Sequence, residues 1–284
     1  MTQSGHTPVT CLCCVMLRNP SVVYPSEYPT DTPEPPLWSA AKRGCHPDVL
    51  SLISSEKGLE ECGGYMHCSP LAIAAAHNHG DVVFELVGSG ADLLSKDLYH
   101  IETALHSAVR QYNARTRYPD ESKEVASMLI WAMVGRGLTL DSVDECGRTA
   151  LHLAVADNNE SIVRRLLDNG ANISCRDCAG TTPLKHSILD HNVTIAAVLI
   201  EYGADVNERY HHGRMPLHLC TDNQAKELSL LLLKHGADLE AIDYSGLNAL
   251  AIVSQHGWLD GVQIITTESA KQSSVCVKPV SGDI

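Results

Sequence analysis

The chain has 284 residues, a formal net charge of −13 at pH 7 and a single Phe. Acidic charge argues against nucleic acid as the main partner, because phosphate binding needs a concentrated basic surface. No apolar run is long enough for a membrane-spanning helix, and a core this poor in aromatics must be filled by Leu, Val, Ile and Ala, which favours packed helices over a β-sandwich.

At the amino end, prolines at 8, 20, 25, 29, 33, 35 and 36 mark residues 1–35 as a Pro-rich leader, predicted to be disordered. Its apolar stretch Val9–Leu17 lacks a preceding basic residue and a clear cleavage site, so it does not read as a signal peptide. The eleven cysteines are odd in number and irregular in spacing, which is not a disulfide framework. They read as reduced thiols of an intracellular protein, cytoplasmic or nuclear. Cys11, Cys13 and Cys14 could be acylated or bind metal, with chance cysteines in a leader as the default.

From residue 36 to about 267 the chain is an array of helical repeats. The first three copies are degenerate. Pro36-Leu-Trp-Ser-Ala-Ala41 precedes Asp48–Ile53, Ser69-Pro-Leu-Ala-Ile-Ala-Ala-Ala76 precedes Gly90-Ala-Asp-Leu, and Thr103-Ala-Leu-His-Ser-Ala108 precedes Gly137-Leu-Thr-Leu. The third copy carries an insertion of 13 residues around 111–122. The next four are regular: Gly147-Arg-Thr-Ala-Leu-His, Gly180-Thr-Thr-Pro-Leu-Lys, Gly213-Arg-Met-Pro-Leu-His and Gly246-Leu-Asn-Ala-Leu-Ala step by 33 residues. A second marker, Gly170-Ala-Asn, Gly203-Ala-Asp and Gly236-Ala-Asp, keeps the same step.

Each copy reads the same way. Thr149 caps a short helix from Ala150, and Thr182 does so with Pro183 at the first helical position. Asn158-Asn159 breaks that helix. Ile162, Val163, Leu166 and Leu167 line a second one, closed by Gly170 in the left-handed conformation. Residues 170–181 are a loop or extended hairpin. Helices this short must stack on neighbouring copies to bury their apolar faces. After about Thr267 the sequence reads as a flexible tail, residues 268–284.

These motifs resemble the ankyrin repeat family, whose pattern is Thr-Pro-Leu-His-x-Ala followed by Gly-Ala-Asp-Val-Asn. The resemblance covers about Thr30 to Thr267 in about seven repeats and is strongest from Asp144 to Asp243. Lys185 stands for the motif His, Met215 for the Thr and Asn158 for a Gly. The resemblance implies an all-α solenoid of helix-turn-helix units with hairpin loops, and recognition of protein partners by the hairpin tips and the exposed face of each first helix. Carried over by phase, that surface includes Glu145, Cys146, Arg148 and Asp157 in the fourth repeat and Arg176, Cys178, Thr181 and Asp190 in the fifth. The sixth adds Arg209, His211, His212, Arg214, Asp222 and Asn223, and the seventh Tyr244, Leu247 and His256. Tyr, Arg and His on a protruding edge suit a protein interface.

Other chemistry is weighed against this. His106, His152 and His218 recur at one position with no nucleophile beside them, so each braces the hairpin and cap of its own repeat. Asn207 at the hairpin reads as turn stabilisation. Cys175-Arg-Asp-Cys178, with His211 and Cys146, would make zinc only if neighbouring tips bent together, so no metal and no cofactor are expected. The insertion places Tyr112, Arg115, Arg117 and Tyr118 in an acidic chain, as a contact site or a mobile insert. No GxxxxGK, GxSxG or HExxH is present. The expectation is a monomeric, non-enzymatic adaptor or regulator that binds a protein, and basic segments of it in particular, and no nucleic acid. The alternatives are a ubiquitin-ligase substrate receptor and, further off, an enzyme with an ankyrin-like body.

Overall fold

The computed structural model describes residues 34–54, 58–64, 67–98, 100–110 and 119–275. The leader to residue 33, residues 111–118 of the insertion and residues 276–284 of the tail lie outside the described residues, as do Cys11, Cys13 and Cys14.

The described chain is helical and forms seven pairs: α1 (Pro36–Arg43) with α2 (His46–Ile53), α3 (Pro70–Ala76) with α4 (Gly80–Gly88), α5 (Ala104–Arg110) with α6 (Pro119–Gly135), α7 (Ala150–Ala156) with α8 (Glu160–Asp168), α9 (Pro183–Leu189) with α10 (Val193–Glu201), α11 (Pro216–Asp222) with α12 (Lys226–Lys234), and α13 (Ala249–Gln255) with α14 (Leu259–Val275). Among the described residues no β-strand forms, and an isolated bridge joins Gly63 and Cys68. The fold is an ankyrin-type α-solenoid. Two boundaries differ from the sequence reading. Helix α6 begins at Pro119, so the last positions of the insertion are helical. Helix α14 runs on to Val275, past the Thr267 at which the reading starts a tail.

The chain divides into two compact units, residues 1–179 and 180–284. In the first, α1, α3, α5 and α7 stack as one layer and α2, α4, α6 and α8 as a second. In the second, α9, α11 and α13 form one layer and α10, α12 and α14 the other.

The fourth repeat shows why the sequence folds this way. Thr149 Oγ1 accepts from the His152 backbone N–H, and the His152 ring accepts from the Thr149 N–H at 3.2 Å, so two orphan donors of α7 are satisfied. Asn158 then takes a left-handed conformation (φ 54°), which turns the chain sharply. Asn159 caps α8 by accepting from Ile162 N at 3.2 Å. The helix closes on Gly170 (φ 84°), with Ala171 N donating to Leu166 O and Gly170 N to Leu167 O, both at 3.0 Å. The paired helices bury Leu151, Ala154, Val155, Ile162, Val163 and Leu166 between the layers. Removing such side chains from water is the main stabilising force, each worth about 1.5–3 kcal/mol.

Candidate hairpin-tip surface

The tips are held by side chains inside each repeat and by hydrogen bonds from one repeat to the next. Asp144 is buried at the base of its hairpin and accepts from Cys146 N and Arg148 N, both at 2.8 Å. Asp243 holds the last hairpin in the same way, through Ser245 N at 2.8 Å and Leu247 N at 3.1 Å. Successive tips are tied edge to edge: Glu145 N donates to His100 O at 2.8 Å and Cys178 N to Cys146 O at 2.9 Å. In the second unit Tyr244 N donates to His212 O at 2.9 Å. These bonds fix the backbone under Glu145, Cys178 and Tyr244, so their side chains are presented from a set position.

The first three of the four glycines spaced by 33 residues serve these contacts. Gly147, Gly180 and Gly213 all have positive φ, and each lies under the side chain of the next tip. A Cβ on Gly147 would meet Cys178 N at 2.9 Å, one on Gly180 the His211 ring at 2.9 Å, and one on Gly213 the Tyr244 ring at 2.5 Å. Glycine is needed twice over, for conformation and for approach.

The recurring His does more than brace its own repeat. In the third repeat His106 Nδ1 accepts from Thr103 N at 3.2 Å while Nε2 donates to Arg148 O, also at 3.2 Å, in the following hairpin. In the sixth, His218 Nδ1 accepts from Met215 N at 3.2 Å, and Nε2 donates to Ala241 O and Leu247 O of the seventh. The hairpin that each His braces is therefore its neighbour's. Burial pushes both imidazoles below the ordinary value of 6.5, which fits the neutral tautomer with its proton on Nε2. Asn207 likewise reaches forward: its Oδ1 accepts from Asp238 N at 2.8 Å and its Nδ2 donates to Gly236 O at 3.1 Å. Where Lys185 replaces the motif His, the ammonium lies over the Tyr210 ring at 5.2 Å, and Thr182 donates to Glu208 at 3.1 Å. Met215 provides no side-chain hydrogen bond to cap α11.

The expected site residues fall into three groups. Several are engaged by the fold. Arg148 is held by the buried Asp144 carboxylate at 2.8 Å, Glu145 pairs with His100 at 3.1 Å, and Arg209 donates to Gly213 O and Ile242 O, tying the sixth hairpin to the seventh. Asp190 lies at the end of α9, 3.5 Å from His186, and Asp157 caps the end of α7. A second group is drawn together in the second unit: Arg214 Nη1 meets Asp222 at 2.8 Å, Asp222 faces His256 at 3.6 Å, and Arg214 Nε approaches Asp243 at 3.8 Å. The third group is exposed at the tips: Arg176 and Cys178 in the first unit, and His211, His212 and Tyr244 in the second. Tyr244 is 81 % exposed, with Ile242 on the same hairpin at 54 %.

Sequence reasoning passed over the charges beneath the first unit's tips. Glu102 is buried and meets Arg110 at 2.8 Å, and Arg110 also approaches Asp144 at 3.6 Å. Burial raises the Glu102 carboxyl, and the Arg110 guanidinium works against that rise. Sequence alone does not show that Arg110 joins a carboxylate of its own repeat, Glu102, to Asp144 of the next. Among the described residues no three His, Cys, Asp or Glu side chains are grouped so as to hold a metal ion. Cys220 is fully buried and its thiol is pushed up to about 12, so it is a packing residue.

The family model described as ankyrin repeats in three copies matches residues 118–210, and the single ankyrin repeat model matches residues 66–98 and 212–244. The chain belongs to the ankyrin repeat family. It is similar to the crystal structure of the ankyrin repeat domain of Bcl-3, described as a unique member of the IkappaB protein family, with a TM-score of 0.74 at 25 % identity, covering 83 % of this chain and 100 % of that one. No curated protein matches it. Ankyrin repeats are a protein-interaction scaffold. No helix among the described residues is long and apolar enough to cross a membrane.

Proposed function

We propose that this protein is a non-enzymatic adaptor or regulator that recognises a protein partner through its hairpin tips and the adjoining first-helix surface. The observation that carries the reading is Tyr244, 81 % exposed and lying over Gly213. Ile242 shares its hairpin, His211 and His212 are exposed on the preceding tip, and Arg209 donates across to Ile242 O. A rigidly seated aromatic with apolar and cationic neighbours is the composition of an interface anchor. The backbone already holds these side chains in position, so little ordering entropy remains to be lost on binding. A monomer acting in the cytoplasm or nucleus fits this reading and the odd, irregularly spaced cysteines of the sequence.

The test is affinity purification with mass spectrometry, using the wild type and the Ile242→Ser/His212→Ser/Tyr244→Ser variant. All three side chains are exposed, so the thermal transition should be unchanged. A protein recovered with the wild type and missing from the variant is the expected result. If every recovered partner stays bound to the variant, the tip assignment fails.

A further inference from the structure

The chain's single Phe is not in the core. Phe84 is 61 % exposed on α4, Trp131 is 76 % exposed on α6 and Leu50 is 44 % exposed on α2. Phe84 and Trp131 each stand six residues before the glycine that closes their helix pair, Gly90 and Gly137, and Arg164 stands six before Gly170. Leu50 stands six residues after the left-handed Gly44, as Phe84 stands six after Asn78 and Arg164 six after Asn158. One position of the repeat is therefore Leu, Phe, Trp and Arg in four successive copies. In the fourth copy Arg164 pairs with Glu160 at 2.9 Å, an ordinary solvated helix face, so the fold does not demand an apolar residue there.

Helices α2, α4 and α6 lie side by side. At a helix spacing of about 10 Å, the three side chains form a stripe roughly 20 Å long. A second row stands three residues further along each helix, where Val134 is 42 % exposed and Ile53 and Val87 are half-buried. In sequence these three helices carry the acids Asp48, Asp81, Glu85, Asp120, Glu121 and Glu124 against one basic residue, Lys123, and Glu85 faces His46 at 3.4 Å. Of the flanking cations, Arg43 faces Asp48 at 3.6 Å and Arg136 donates to the Ala91 and Val87 carbonyls.

We infer that this second-helix face of the first unit docks an amphipathic segment of a partner protein, Leu- or aromatic-rich on one side and edged with Lys or Arg. An exposed two-row apolar patch marks an interaction surface, and its aromatics are anchor residues. The excess of acids on these helices selects a partner edged with basic residues and disfavours an acidic one. The chain's own Val9–Leu17 run supplies an apolar stretch but a single adjacent cation, Arg18, and is followed by Glu27 and Asp31. It matches the patch without supplying the basic edge. This surface is separate from the tips and belongs to the other helix layer.

Fluorescence anisotropy on the full chain tests it, with two labelled helical peptides of ~18 residues. Both carry Leu along one face, and the remaining positions are Lys in one and Glu in the other. The Lys peptide should bind saturably and at least about tenfold more tightly than the Glu peptide. Phe84→Gln/Trp131→Gln should weaken it about tenfold or more, while Ile242→Ser/Tyr244→Ser should not. If the Gln pair unfolds the chain, Phe84→Arg, the residue type of the fourth repeat, takes its place. The inference is overturned if the two peptides bind alike, if neither binds, or if the tip variant alone removes binding. A wild-type dimer that the Gln pair dissociates would make a second copy the occupant instead. Leu12→Asp/Leu17→Asp raising the Lys peptide's affinity about tenfold would assign the patch to the leader. Either result also overturns the inference.

Discussion

His106 and His218 act as neutral hydrogen-bond relays, each accepting at Nδ1 within its own repeat and donating from Nε2 to the next. A proton added at Nδ1 would remove the acceptor that Thr103 N or Met215 N needs. The unfolded side chain takes up that proton near pH 6.5, whereas the buried one resists it. Below pH 6.5 the unfolded state therefore binds more protons. The contribution of these residues is full above that pH and is lost as pH falls. Urea midpoints should drop between pH 7 and pH 5, and a His106→Gln/His218→Gln variant should show a shallower drop from a lower start. An equal drop in the variant would assign the loss to other groups. Arg148 carries a second prediction at this scale. Its phase puts it on the recognition row, but the buried Asp144 carboxylate engages its guanidinium. Arg148→Ala should cost about 1–3 kcal/mol of stability, because it leaves a buried carboxylate short of a partner. Partner affinity should be unaffected once the protein is folded. Sequence phase reveals that position 148 is variable in the motif, but not that Asp144 lies within reach.

At the scale of the helix pair, much was legible. The Thr caps, the Pro at the first helical position and the closing glycines each have a local physical cause, so the sequence shows them directly. The turn between the paired helices is less regular. Gly44 and Gly257 occupy it in two repeats, but His191 and Gln224 hold the same left-handed conformation, both at φ 55°. A side chain there is strained. His191→Gly and Gln224→Gly should each stabilise the chain by about 0.5–1 kcal/mol after allowing for the added freedom of the unfolded chain, read as a rise in Tm. No gain at either site would mean that local hydrogen bonds offset the strain. The outward direction of Phe84 was not legible from its own helix. Val82, Val83 and Leu86 surround it in the sequence, and a run this apolar does not announce which member faces water. Comparison with Arg164 at the equivalent position carries that signal. The forward reach of His106 and Asn207 was hidden for another reason: the hydrogen bond lies between repeats, and a repeat read alone does not contain its acceptor.

For the molecule as a whole, the near-absence of Phe is explained by thin layers packed from Leu, Val, Ile and Ala, with the single Phe turned outward. The charge of −13 belongs to a solvated array in which cations are few and many are already engaged by carboxylates or carbonyls. The second unit's tips expose Tyr244, Ile242 and His212, the side chains to which the proposed function assigns recognition. The proposed function requires that a protein partner be bound there. Its most direct test is the dissociation constant of a recovered partner, measured by calorimetry at fixed salt, for the wild type and for Ile242→Ser/His212→Ser/Tyr244→Ser. The expected result is a weakening of at least about tenfold, equivalent to about 1.4 kcal/mol, with an unchanged thermal transition. An unchanged dissociation constant would contradict it.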